Sequence, residues 1–112
     1  VLPRAHRITE PTEIRRLSRG GQRINHSSFV ARAHQTDRSL PSRFGFVVSK
    51  QVGGAVARNL VKRRLRALAQ EQLKSHPVGW DVIVRALPPA AATQFVDMQR
   101  VWREGFSKAM VS

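Results

Sequence analysis

Residues 52–74, VGGAVARNLVKRRLRALAQEQLK, constrain the fold more than any other part of the chain. At 100° per residue, Ala57, Leu60, Val61, Leu65, Leu68 and Gln72 fall on one side of a helix. Arg58, Lys62 and Arg66 form an i,i+4 row on the other side, with Asn59 and Arg63 in the adjacent row. A helix this long with one apolar side must lie on something. In a chain of 112 residues, the partner has to come from the same compact domain. Arg64 projects toward the apolar arc, so its head is expected to reach out between the helix and a neighbouring element rather than serve as a primary contact.

The partner is a small sheet. SSFVARA (27–33) and RFGFVVSK (43–50) are strand candidates, with Phe44, Phe46 and Val48 alternating onto one core-facing side. WDVIVRAL (80–87) is the strongest strand and suits an interior place; Pro88 and Pro89 end it. TEPTEIRRLSRGG predicts a short first helix, capped by Thr9 or Thr12 and stopped by Gly20 and Gly21. Phe95, Met98, Trp102, Phe106 and Met110 form the buried stripe of a last helix, with Trp80 and Trp102 placed at the core margin. Residues 1–8 read as a flexible basic arm. The order is helix, strand, strand, helix, strand, helix: one α+β domain over 1–112, with helices packed on a mixed sheet.

Twenty Lys and Arg against seven Asp and Glu leave a formal charge of +13, and the excess lies in the first two-thirds of the chain. A polyanion is the expected partner. Like charges at i,i+4 oppose helix formation by about 0.2–0.5 kcal/mol per pair, and the Arg58, Lys62, Arg66 row has no acid interleaved to relieve them. A solvated face shaped only by stability would mix signs. Gly53 and Gly54 at the helix start allow close backbone approach to a phosphate, although no Gly-Lys-Ser/Thr ending follows, which disfavours a nucleoside triphosphate.

Other chemistries find less support. Cysteine is absent and the four histidines lack ligand spacing, so no metal site made by the protein is expected. The seven acids are scattered without a general acid–base pair, so the protein alone is not expected to be catalytic. A DNA-reading helix-turn-helix would need a helix where residues 44–49 read as strand. The apolar side of 55–74 lacks the Trp or Phe of a membrane-surface helix. No membrane span or signal peptide is visible, and a cytoplasmic location is expected.

SKQVGGAVARNLVKRRLR closely resembles the signature of the bacterial ribonuclease P protein subunit: Lys50, Gly53, Ala55-Val56, Arg58, Asn59, Lys62, Arg63 and Arg66 stand in its register. The similarity extends to the basic arm with Arg7, the short first helix, the Phe-Val strands and the last helix. It implies an αβββαβα sandwich with a left-handed βαβ crossover, hence one further short strand, expected near Lys50 to Val52. It also implies a subunit that binds a catalytic RNA and the 5′ leader of precursor tRNA, with Mg2+ held mainly by the RNA subunit and substrate. No obligate protein partner is implied. Lys50, Gly53, Arg58, Asn59, Lys62, Arg63 and Arg66 would face the RNA subunit. A cleft between the first helix and the sheet would take the leader, through Ile14, Arg15, Ser18, Arg19, Phe29 and Arg32. Ile14, Ser18 and Arg32 stand where the family often has aromatic residues, so leader binding here is expected to rely on arginine–phosphate contacts more than on stacking. The alternative is a generic basic RNA-binding module, ribosome-associated and without a role in tRNA processing.

Overall fold

The computed structural model describes residues 2–111; Val1, the first residue of the expected arm, lies outside them, as does Ser112. The elements are α1 (Pro11–Leu17), β1 (Gln22–Asn25), β2 (Phe29–Gln35), β3 (Arg43–Val47), α2 (Ala55–Ser75), β4 (Trp80–Ala86) and α3 (Phe95–Ala109). Short 3-10 turns occupy Arg4–His6, Lys50–Val52 and Pro88–Ala91. The sheet runs β1-β2-β4-β3. β2 is antiparallel to β1 and β4, whereas β3 is parallel to β4. Parallel neighbours need a long crossover, and α2 provides it. β4 lies between β2 and β3, and its Val82-Ile83-Val84 centre is covered on both faces, which suits its continuous apolar run.

The fourth strand is present, but not at Lys50–Val52. That segment is a 3-10 turn carrying the chain from β3 into α2. The additional strand is Gln22–Asn25, a sheet-edge partner of β2 in which only Ile24 is buried. One apolar residue in four leaves no alternation to detect. The cap of α1 also differs. Glu10 occupies that position through its backbone, its carbonyl accepting the Ile14 N–H at 3.0 Å, and Pro11 begins the helix. Gly20 and Gly21 end the segment as expected, with φ of 69° and 68°, in the left-handed region open to glycine.

Of the expected flexible arm, residues 2–8 are docked. Leu2 and Ile8 are buried, the Ile8 N–H donates to the Phe44 carbonyl at 2.9 Å, and Arg7 bridges Phe44 in parallel. His6 Nδ1 lies 2.5 Å from the Ser42 carbonyl oxygen. β3 is an edge strand with open backbone groups, and the first residues cover them.

The main core fills the space between one sheet face and α2 and α3. Trp102 is at its centre rather than its margin: it is 1 % exposed, with ring centroids 5.8 Å from Phe29, 6.2 Å from Phe44 and 4.4 Å from Phe106. Its Nε1–H donates to Gln72 of α2 at 3.3 Å. Met98, Phe106 and Met110 are buried with it, whereas Phe95, the first residue of the expected stripe, is only half-buried at the edge of the core. On the opposite sheet face, Leu17 and Ile14 of α1 pack with Ile8, Ile83 and Val47 in a smaller core. Because α1 is short, the rest of that face stays open.

Candidate nucleic-acid interface

α2 turns Val61, Leu65, Leu68 and Ala69 into the core. Its other side presents Asn59, Arg63 and Arg66 to solvent, flanked by half-buried Arg58 and Lys62. The predicted rows therefore share one outward surface. Gly53 has φ 148°, and a Cβ there would lie 2.9 Å from that of Ala57, so the turn requires glycine. Gly54 caps α2 without a side-chain hydrogen bond, and the first turn holds no acid. Lys50 is exposed in the preceding turn. Arg64 behaves as its position predicts: Nη1 donates to the Thr93 carbonyl at 3.0 Å and the guanidinium lies 6.0 Å from the Phe95 ring centroid, securing α2 to the start of α3.

Among the described residues, ion pairs engage only Arg43, Arg100 and Arg103. No described carboxylate neutralises Arg58, Lys62, Arg63 or Arg66, and Arg58 Nε is buried without a hydrogen-bond partner among the described residues. The face is a concentrated positive field with open donors, suited to a phosphate backbone.

A second basic surface surrounds α1. Ile14, Arg15, Arg16, Ser18, Arg19, Val47 and Arg85 line a shallow cleft of about 680 Å³. Ser18 Oγ donates to the Ile14 carbonyl at 2.6 Å, completing the helix end. Arg32 lies on the same sheet face, and its Nη1 donates to the Gly20 carbonyl at 3.3 Å. Phe29 does not belong here. Alternation along β2 turns it to the opposite face, where it is fully buried against Trp102. The sequence reading missed two cations on the cleft side. Arg85 follows Ile83 at the period of two, and Arg23 stands directly opposite Arg32 in the β1–β2 ladder. Like charges facing each other across strands are destabilising, so this pair repeats the pattern of the α2 row.

Arg43 fixes the geometry of the cleft. Its Nε and Nη2 donate to the Asp81 carboxylate at 3.0 and 2.9 Å, while Nη1 and Nη2 donate to Glu13 at 3.3 and 2.8 Å. One guanidinium thus ties α1 to β3 and β4. These hydrogen bonds hold the Glu13 carboxyl below its ordinary value, against the opposing effect of burial. A depressed folded-state value means that the stabilisation is fully present above the unfolded value near 4.5 and is lost as pH falls through the folded one. Because both side chains are about one-third exposed, the expected contribution is about 0.5–1 kcal/mol. Urea denaturation should show Glu13→Gln less stable than wild type at pH 7, with the two curves converging as the pH falls below 4.5 and through the folded-state value. A difference that persists once Glu13 is protonated would assign the effect to something other than this ion pair.

Among the described residues, no three His, Asp or Glu side chains gather as a metal-binding group. No described helix is long and apolar enough to cross a membrane.

The sequence model of the ribonuclease P family ("Ribonuclease P") matches residues 2–110. The ribonuclease P protein component of Kocuria rhizophila is 41% identical over 110 residues, covering 98% of this chain and 96% of the relative. That of Beutenbergia cavernae is 45% identical over 100 residues, covering 89% and 84%. Among solved structures, the Staphylococcus aureus RNase P protein superposes with a TM-score of 0.79 at 29% identity, covering 96% of this chain and 98% of that one. The Thermotoga maritima RNase P protein shares the fold, with a TM-score of 0.72 at 20% identity over 88% and 93%. With a basic crossover helix on the sheet and a match from residue 2 to residue 110, the chain belongs to the ribonuclease P protein family.

Proposed function

We propose that this chain serves as the protein component of ribonuclease P in the cytoplasm, binding the catalytic RNA through Lys50, Gly53 and the α2 residues Arg58, Asn59, Lys62, Arg63 and Arg66. It assists magnesium-dependent removal of the 5′ leader from precursor tRNA. The observation that carries the reading is the α2 face, four cations without a carboxylate partner among the described residues. Among the described residues, the protein's own carboxylates do not fit a magnesium centre: no three His, Asp or Glu side chains gather as a metal-binding group, Glu13 and Asp81 are engaged by Arg43, and Glu71 by Arg103. The ions are therefore assigned to RNA and substrate, and the protein's contribution is positive charge and positioning.

The test is cleavage of precursor tRNA by the cognate RNA at limiting magnesium, with and without the protein, beside protein alone. Rescue by the protein with no cleavage by protein alone is the expected result. Tight RNA binding without rescue would favour a generic RNA-binding module.

For the leader, the reading assigns Arg15, Arg19 and Arg32, joined by Arg23 and Arg85, to phosphates, with Ile14 and Ser18 forming the α1 wall. Arg32→Ala should weaken binding of a long-leader precursor by about 10-fold and leave leaderless tRNA nearly unchanged, in filter-binding measurements with assembled enzyme. Equal losses on both substrates would remove Arg32 from the leader path.

A further inference from the structure

A third surface lies between the docked first residues, the edge of β3 and the flank of α2. This groove of about 350 Å³ has an apolar floor that includes Leu2, Ile8 and Phe46, and a rim of Arg7, Lys62 and Arg66; no described carboxylate lines it. Phe46 is the outermost of three near-parallel rings. Its plane lies 14° from that of Phe44 at 6.5 Å, and Phe44 in turn lies 22° from Trp102 at 6.2 Å. The two inner rings are buried, whereas Phe46 is only half-buried. A regular duplex backbone needs cations alone. An aromatic ring set among three unneutralised cations fits a nucleotide whose base has left its helix.

We propose that the groove receives one unstacked nucleotide of the ribonuclease P RNA, its base against Phe46 and its phosphate held by Arg7, Lys62 and Arg66. The proposal rests on the reading of α2 as the RNA-binding face, because Lys62 and Arg66 belong to both. The docking of Leu2 and Ile8 gains a purpose: it brings Arg7 to the α2 row and closes the apolar floor. The RNA subunit is the assigned source, because the rim continues the α2 row while the α1 cleft lies on the other sheet face.

The direct test uses the full chain and two small probes, adenosine 5′-monophosphate and ribose 5-phosphate, observed by NMR. The nucleotide should shift the Phe46 ring resonances in a saturable way, whereas ribose 5-phosphate should perturb only the Arg7, Lys62 and Arg66 side chains. Identical patterns from both probes would overturn base stacking. In parallel, Phe46→Leu keeps an apolar side chain but removes the ring, and should lower affinity for the RNA subunit by about 10-fold. Wild-type affinity in this variant, with wild-type protein still binding the RNA, would sink the inference while leaving the α2 reading intact. Failure of wild type to bind would sink that reading itself. A loss seen only with long-leader precursor would overturn the assignment to the RNA subunit. If Phe46→Leu unfolds, the probe comparison on wild-type protein decides.

Discussion

Replacing Arg58 and Arg63 together by Ala should weaken binding to the ribonuclease P RNA on the order of 100-fold and abolish rescue of cleavage at limiting magnesium. Charge-assisted hydrogen bonds contribute about 1.5–3 kcal/mol each, so two lost phosphate contacts at the lower end of that range, as suits a solvent-exposed face, account for an effect of this size. Salt dependence provides an independent reading. With about five phosphate contacts, the log–log slope of affinity against salt should be near −3.5 to −4.5, and the double variant should lose about 1.4–1.8 of it. A wild-type slope near zero would contradict the electrostatic account. Folding should not suffer: Arg58→Ala removes one of the two like-charge pairs in the Arg58, Lys62, Arg66 row, so the melting temperature should hold or rise slightly. A large fall in melting temperature would mean that Arg58 or Arg63 supports the fold, and the binding loss would then need another explanation.

The largest effect on stability is expected at Trp102. Its ring joins Phe29 of β2, Phe44 of β3 and Phe106 of α3, and its Nε1–H reaches Gln72 of α2. Trp102→Ala removes the packing of four elements at once and leaves a cavity, at a cost of about 3–5 kcal/mol. For a domain of this size, that corresponds to a fall in melting temperature on the order of 15 °C. Calorimetry on wild type, Trp102→Ala and Trp102→Phe measures it directly, with the Phe variant falling between the others. A loss below about 1 kcal/mol for the Ala variant would show that the surrounding helices close over the space.

Long, periodic segments were legible from sequence because their apolar spacing is a property of one element alone. α2, α3 and β4 were read in nearly the positions they occupy. β1 escaped because Gln-Arg-Ile-Asn becomes a strand only through its pairing with β2. The docking of residues 2–8 was hidden for the same reason: Leu2 and Ile8 have no period, and only the open edge of β3 gives them a place. Phe29 was drawn into the cleft by its sequence neighbourhood, whereas alternation assigns it to the core and Arg32 to the cleft. Arg85 was legible in principle, as the polar residue that breaks Val-Ile-Val at the period of a strand. The Arg43 hub joins Glu13 to Asp81 across the fold, a juxtaposition that no local pattern announces.

The position of β4 bears on the order in which the molecule can be made. Its partners β2 and β3 precede it in the chain, but they are not neighbours; the gap between them is filled only when Trp80 to Ala86 arrive. During synthesis, α2 therefore emerges before the sheet it must lie on is complete, with its cations available and its apolar side uncovered. Closing the sheet requires β4 to enter between two waiting strands, a non-local step of the kind that slows folding. A nascent chain ending before Trp80 should thus attract RNA without holding it in one orientation, and insertion of the last strand turns a sticky basic segment into a surface of defined shape.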